Sequence, residues 1–113
     1  MSVVTFSTSD IKRAVIDHAT SGDNTLVSAV IGKRIRVVSL FLVAAGTVNV
    51  RFESGASGTA LTGQMNLIAN TGFVLSMGFN EAGWFETSKS ELLNLELSAA
   101  ISVDGVLSYI EVD

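Results

Sequence analysis

The chain contains no cysteine and no proline among its 113 residues. Without cysteine there is no disulfide and no thiolate metal site, and the redox compartment is left open. Without proline, no X-Pro isomerisation slows folding. Histidine occurs once, at His18, so a zinc site would have only carboxylates to complete it. Charge is also scarce: Asp, Glu, Lys and Arg make up 16% of the chain, against about 25% in an ordinary soluble domain. No apolar run approaches the ~18–20 residues of a membrane-spanning helix, so no membrane association is expected. The N-terminal MSVVTFSTSD has no basic stretch followed by an apolar one. That predicts no signal peptide and synthesis as an intracellular protein.

What the chain does have is apolar surface to place. Hydrophobic residues make up 48%, and the mean hydropathy is +0.48. The length suits one domain, able to bury roughly two thirds of its unfolded surface. With so little charge to cover the exterior, the excess apolar area points to a partner or an oligomer interface. The net charge is −4 and unevenly spread. Residues 1–56 hold six basic groups and four acids, while residues 57–113 hold Lys89 and seven acids. Opposite signs in the two halves suit contact between subunits. The acidic total argues against general nucleic-acid binding.

Short β-like runs recur between turn signals. Strands are predicted near residues 3–6, 11–19, 25–31, 34–45, 47–53, 64–68, 73–77, 84–87, 92–99 and 106–112. The separators are turn chemistry, including Ser21-Gly22-Asp23-Asn24, Ser54-Gly55-Ala56-Ser57-Gly58, Asn70-Thr71-Gly72 and Asn80-Glu81-Ala82-Gly83. Asp104-Gly105 between apolar segments predicts a hairpin. Asn70–Gly83 reads as a structured loop between sheets. Ser9-Asp10 followed by Ile11, Ala14, Val15 and His18 fits a capped helix as well. A strand is preferred there, because Val15, Ile16 and Thr20 are β-branched. Regular short strands with Gly-rich turns predict an all-β, antiparallel β-sandwich. It is expected to be jelly-roll-like, with about eight core strands, formed by residues 11–113 behind an N-terminal arm, 1–10.

The most informative stretch is KRIRVVSLFLVAAGTVNVRFE, Lys33 to Glu53. Only Ser39 interrupts the apolar run from Val37 to Ala45. A strand with one wet face should alternate apolar and polar residues. This one hardly does, so both faces are expected to meet protein, the second from another subunit.

No catalytic motif stands out. His18 has Asp17 beside it in sequence, but on a strand neighbours point to opposite faces. The Gly55–Gly58 stretch lacks the Lys-Ser/Thr of a phosphate loop. Asp23, Asn24 and Asp104 supply oxygens of the kind calcium takes, without EF-hand spacing, and turn formation explains them as well. Glu86 and Glu91 form a possible acid pair with no sign of a cleft. No enzyme activity and no cofactor are expected. Lys33, Arg34 and Arg36 form a basic cluster, and Lys12 and Arg13 add to it. These five are candidate partner-binding residues. Phe79, Trp84 and Phe85 flank a loop and read either as binding anchors or as plugs at one end of the core.

Three segments, SGDNTLVSAVIGKRIRVVSLFLVAAGTVNVRFESG, GTALTGQMNLIANTGFVLSMGFNEAGWFET and LNLELSAAISVDGVLSYIEV, together resemble small β-sandwich virion proteins of tailed bacteriophages. The resemblance is to capsid decoration (cement) proteins and related head or tail accessory proteins, and it covers about residues 11–112. It implies a jelly-roll-like fold, a homotrimer, and docking onto the major capsid protein at the virion surface. The basic residues above would then help dock the shell. The alternative is a tail-fibre or lectin-like module that binds carbohydrate near Trp84.

Overall fold

The computed structural model describes residues 10–78 and 81–113. Ten strands follow in chain order: β1 (Lys12–His18), β2 (Gly22–Val27), β3 (Arg34–Ala44), β4 (Val48–Ser54) and β5 (Thr59–Ala60), then β6 (Met65–Leu67), β7 (Gly72–Leu75), β8 (Phe85–Glu86), β9 (Leu93–Leu97) and β10 (Val103–Val112). All pairings are antiparallel. One sheet runs β1-β10-β3-β7, with β8 also on β3; the other runs β2-β9-β4-β5, with β6 also on β4. β7 and β8 thus share one strand position, broken by a loop, and so do β5 and β6. Counted by position, the sheets read 1-8-3-6 and 2-7-4-5, which is the jelly-roll arrangement of eight strands.

The segment that also fitted a helix is strand β1. The strand expected at residues 3–6 and most of the expected arm lie outside the described residues. Three local expectations are corrected. Gly22, Asp23 and Asn24 are the start of β2, not a turn, because Asn24 is held by β9. Residues 70–83 are not one loop between sheets: the chain crosses from one sheet to the other at 68–71, between β6 and β7, and β7 and β8 then both pair with β3. Asp104-Gly105 is not a hairpin but lies inside β10, paired with Asp17 and Ile16 on one side and Val43 and Leu42 on the other.

The last correction has a steric cause. A Cβ on Gly105 would stand 1.9 Å from the Phe41 carbonyl oxygen, and one on Gly72 would stand 1.8 Å from that of Leu42. The two strands flanking β3 therefore each approach its backbone at a glycine. Gly105→Ala should lower stability by about 3 kcal/mol, since backbone on a neighbouring strand must move. That is roughly 10 °C or more in a thermal melt of a domain this size; an unchanged Tm would mean the approach is looser than described.

Alternation builds the core. From β3, Leu40, Leu42 and Ala44 point inward, opposite Val48, Val50 and Phe52 of β4 and Leu93, Leu95 and Leu97 of β9; all are buried. Phe85 stacks on Phe52 with ring centroids 4.9 Å apart, so β8 closes one end of the core. In the β3–β10 pairing, Ser39 and Val37 face the consecutive residues Ser108 and Tyr109. Val38 is thus the extra residue of a β-bulge. It lies where the far edge of β3 passes from β7 to β8.

Candidate functional site

The two outer faces of the sandwich differ in chemistry. On the β1-β10-β3-β7 sheet, register places Val15 opposite Val106, Val106 opposite Phe41, and Phe41 opposite Val74. These four form one apolar row across four strands. Val15 is 71% exposed, Phe41 52% and Val74 73%, while the alternating neighbours Ile16, Leu40 and Leu42 are buried. Val43, 44% exposed, sits in the next row. The two-faced apolar character read from the sequence of β3 is real: one face fills the core and the other is open. On one side of the row lie Asp17, Asp104 and Val43, in register with one another; on the other lie Arg13, Ser108 and Ser39.

The outer face of the other sheet is polar. Asp23, Glu96 and Arg51 form one cross-strand row, and Thr25, Asn94 and Glu53 the next. Glu53 is buried although it sits on the outer side. The turn after β4 folds back here, and Ser57 donates to Asp23 from its backbone N–H (3.2 Å) and its hydroxyl (2.8 Å). Arg51 donates to Glu53 at 2.9 and 2.6 Å and to Glu96 at 3.3 Å. Asn94 donates to Glu53 (2.9 Å) and Asp23 (2.8 Å), and its Oδ1 accepts from the Asn24 N–H (2.8 Å). Carboxylate oxygens of Asp23, Glu53 and Glu96 lie within 4.8 Å of one another. Such a set suits a hard cation, but here Arg51 supplies the positive charge and every buried side-chain polar atom among the described residues has a hydrogen-bond partner. Asp104, grouped with Asp23 in the sequence reading, lies on the opposite outer face.

This network titrates in two directions. The hydrogen bond with Glu53 is the main cause that raises the Glu96 carboxyl above the usual carboxylate range; burial adds to it and Arg51 opposes it. Hydrogen bonds from Ser57, then Asn94, hold Asp23 below that range. A raised acid stabilises the fold while protonated, and that contribution is lost as pH climbs through its folded pKa. A lowered acid stabilises the fold above its ordinary pKa, and its contribution is lost as pH falls through the lowered value. Glu96→Gln should therefore remove a decline in Tm that the wild type shows as pH rises above the ordinary carboxylate range. Parallel Tm–pH curves for the two proteins would contradict this.

The basic residues singled out in the sequence are mostly paired within the chain. Lys12 meets Glu111 at 2.6 Å, which raises the Lys12 ammonium above its ordinary value. Lys33 bonds Asp113 and lowers that carboxyl. Arg34 (3.9 Å) and Arg36 (3.0 Å) share Glu86, and Arg36 also reaches the Glu81 carbonyl at 2.7 Å. The opposite charge of the two halves of the sequence is in large part matched inside one fold. Arg13 alone of the five takes part in no ion pair among the described residues.

The three aromatics separate. Phe85 is partly buried and packs against the core, Trp84 is 50% exposed, and Phe79 lies outside the described residues. Trp84 donates its indole N–H to the Ser76 carbonyl (3.0 Å) and its backbone N–H to the Val37 carbonyl (2.9 Å). A pocket of about 280 Å³ is lined by Trp84, Val38, Ser76, Gly78 and Gly83. The bulge at Val38 and the interruption between β7 and β8 make this space. Sequence reasoning missed the Asp23–Asn94–Glu53 network. Its signal was the run of polar residues at the outward positions of two neighbouring strands. In comparisons with known proteins, no family model and no curated protein matches the chain.

Proposed function

We propose that this chain is a structural protein that works through its surfaces, as capsid decoration proteins do: a self-associating jelly roll that attaches to the major capsid protein of a phage head and stabilises the shell. The observation that carries the reading is the row of exposed Val15, Phe41 and Val74, joined through the half-buried Val106, on a sandwich whose core is already filled. Leaving such a row in water forgoes about 1.5–3 kcal/mol for each large apolar side chain that a partner would bury. Light scattering during size exclusion, with no ligand added, tests it. A stable oligomer supports the reading, and a monomer at all concentrations counts against it.

A second reading, carbohydrate binding, is favoured by one observation: the half-exposed Trp84 ring beside its pocket. Aromatic faces stack on apolar faces of sugars. On a glycan array, Trp84→Ala should lose any binding the wild type has. Signals that persist in the variant, or are absent from both, would remove this reading.

A further inference from the structure

We propose that a second copy of this chain packs face to face on the outer side of the β1-β10-β3-β7 sheet, forming a two-fold pair. The pair stacks the Val15-Val106-Phe41-Val74 row on its own copy and sets Arg13 of each chain over Asp17 and Asp104 of the other. The proposal rests on the self-associating structural reading and names its surface, partner and geometry.

The first argument is that the described residues offer this one apolar face. The remaining exposed large hydrophobics that belong to neither this sheet nor the adjoining 76–84 loop, Ile31 and Ile68, stand outside the strands. A ring of three needs two different complementary surfaces on each chain, whereas a two-fold pair uses a single surface twice.

The second argument is charge. Arg13 and Asp17 lie two residues to either side of Val15 on the same face of β1. A two-fold axis running along the apolar row reverses strand direction, so Arg13 of one chain comes over Asp17 of its partner. Asp17 and Asp104 are directly opposite each other in register. Like charges so placed destabilise a strand pair, and no cation of the same chain pairs with either among the described residues. The partner's Arg13 meets both acids, and it is the one cation of the candidate set without an ion pair of its own.

The third argument is area. The 34 residues of β1, β10, β3, β7 and β8, at about 3.4 Å rise and about 4.8 Å strand spacing, give a face of roughly 550 Å². That is about two thirds of the roughly 800 Å² per partner of a standard interface, so a weak, concentration-dependent dimer is expected.

The test is sedimentation velocity over a wide concentration range on the wild type, Phe41→Asp, Arg13→Asp, Asp17→Arg and the double variant Arg13→Asp/Asp17→Arg. Circular dichroism checks that each folds. The wild type should dimerise, and Phe41→Asp should be a folded monomer. Each single charge variant should dimerise about tenfold more weakly, and the double variant should regain wild-type affinity. A trimer, a dimer indifferent to Phe41→Asp, or a double variant no better than the singles would overturn this geometry and leave the structural reading standing. A wild-type monomer throughout would overturn both.

Discussion

Leu42→Asp should yield no folded protein, while the adjacent Phe41→Asp should fold. Leu42 is 3% exposed and Phe41 52%, because successive residues of a strand face opposite sides. On the inner side, Leu42 lies among the packed rows of β3, β4 and β9. Removing a buried leucine costs about 2–5 kcal/mol. A carboxylate left there without a partner adds several kcal/mol more through desolvation. Together these equal or exceed much of the about 5–15 kcal/mol that holds a typical domain together. Far-UV circular dichroism and a thermal melt would register the loss as an absent cooperative transition. A Leu42→Asp protein that melts like the wild type would mean the inward and outward rows of β3 have been exchanged.

Asn94→Ala should be the most damaging polar substitution, at about 4 kcal/mol. Breaking a buried charged network by removing one partner costs about 3–5 kcal/mol. Asn94 is fully buried and serves three groups at once. Its loss takes one hydrogen bond from the buried Glu53 carboxylate and one from Asp23, and it strands the Asn24 N–H. Arg51 remains on Glu53, so the carboxylate is not left wholly alone. Asn94→Asp is the informative companion: it keeps the acceptor for Asn24 but turns a donor toward two carboxylates into a third charge. Both variants should unfold at markedly lower denaturant concentration than the wild type. If Asn94→Ala matched the wild type, the burial of Glu53 would have to depend on Arg51 alone.

Much of the sandwich was legible because strand alternation is a local signal. Val48, Val50 and Phe52, and Leu93, Leu95 and Leu97, announce a single inward face. Val37–Ala45 announces two apolar faces by failing to alternate, and the structure separates them into Leu40 and Leu42 inside and Phe41 and Val43 outside. What stayed illegible depends on contacts distant in sequence. Asp104-Gly105 has hairpin chemistry, yet its glycine answers to the Phe41 carbonyl on the next strand. Glu53 looks like a solvent-facing residue until Asn94 and Arg51 bond its carboxylate. Lys33, Arg34 and Arg36 look available to a partner until Asp113 and Glu86 arrive from the far end of the chain.

The position of β10 has a consequence for synthesis. This strand lies between β1 and β3, yet the ribosome makes it after the other nine described strands. Until it emerges, β1 has no neighbour in its sheet and β3 lacks one side of its hydrogen bonding. Pairing of Lys12 with Tyr109 must then close nearly the whole length of the chain, the kind of distant contact that makes folding slow. A nascent chain therefore cannot complete this sheet until β10 has emerged from the ribosome. Its apolar rows remain open to neighbouring chains and to chaperones until β10 slides in.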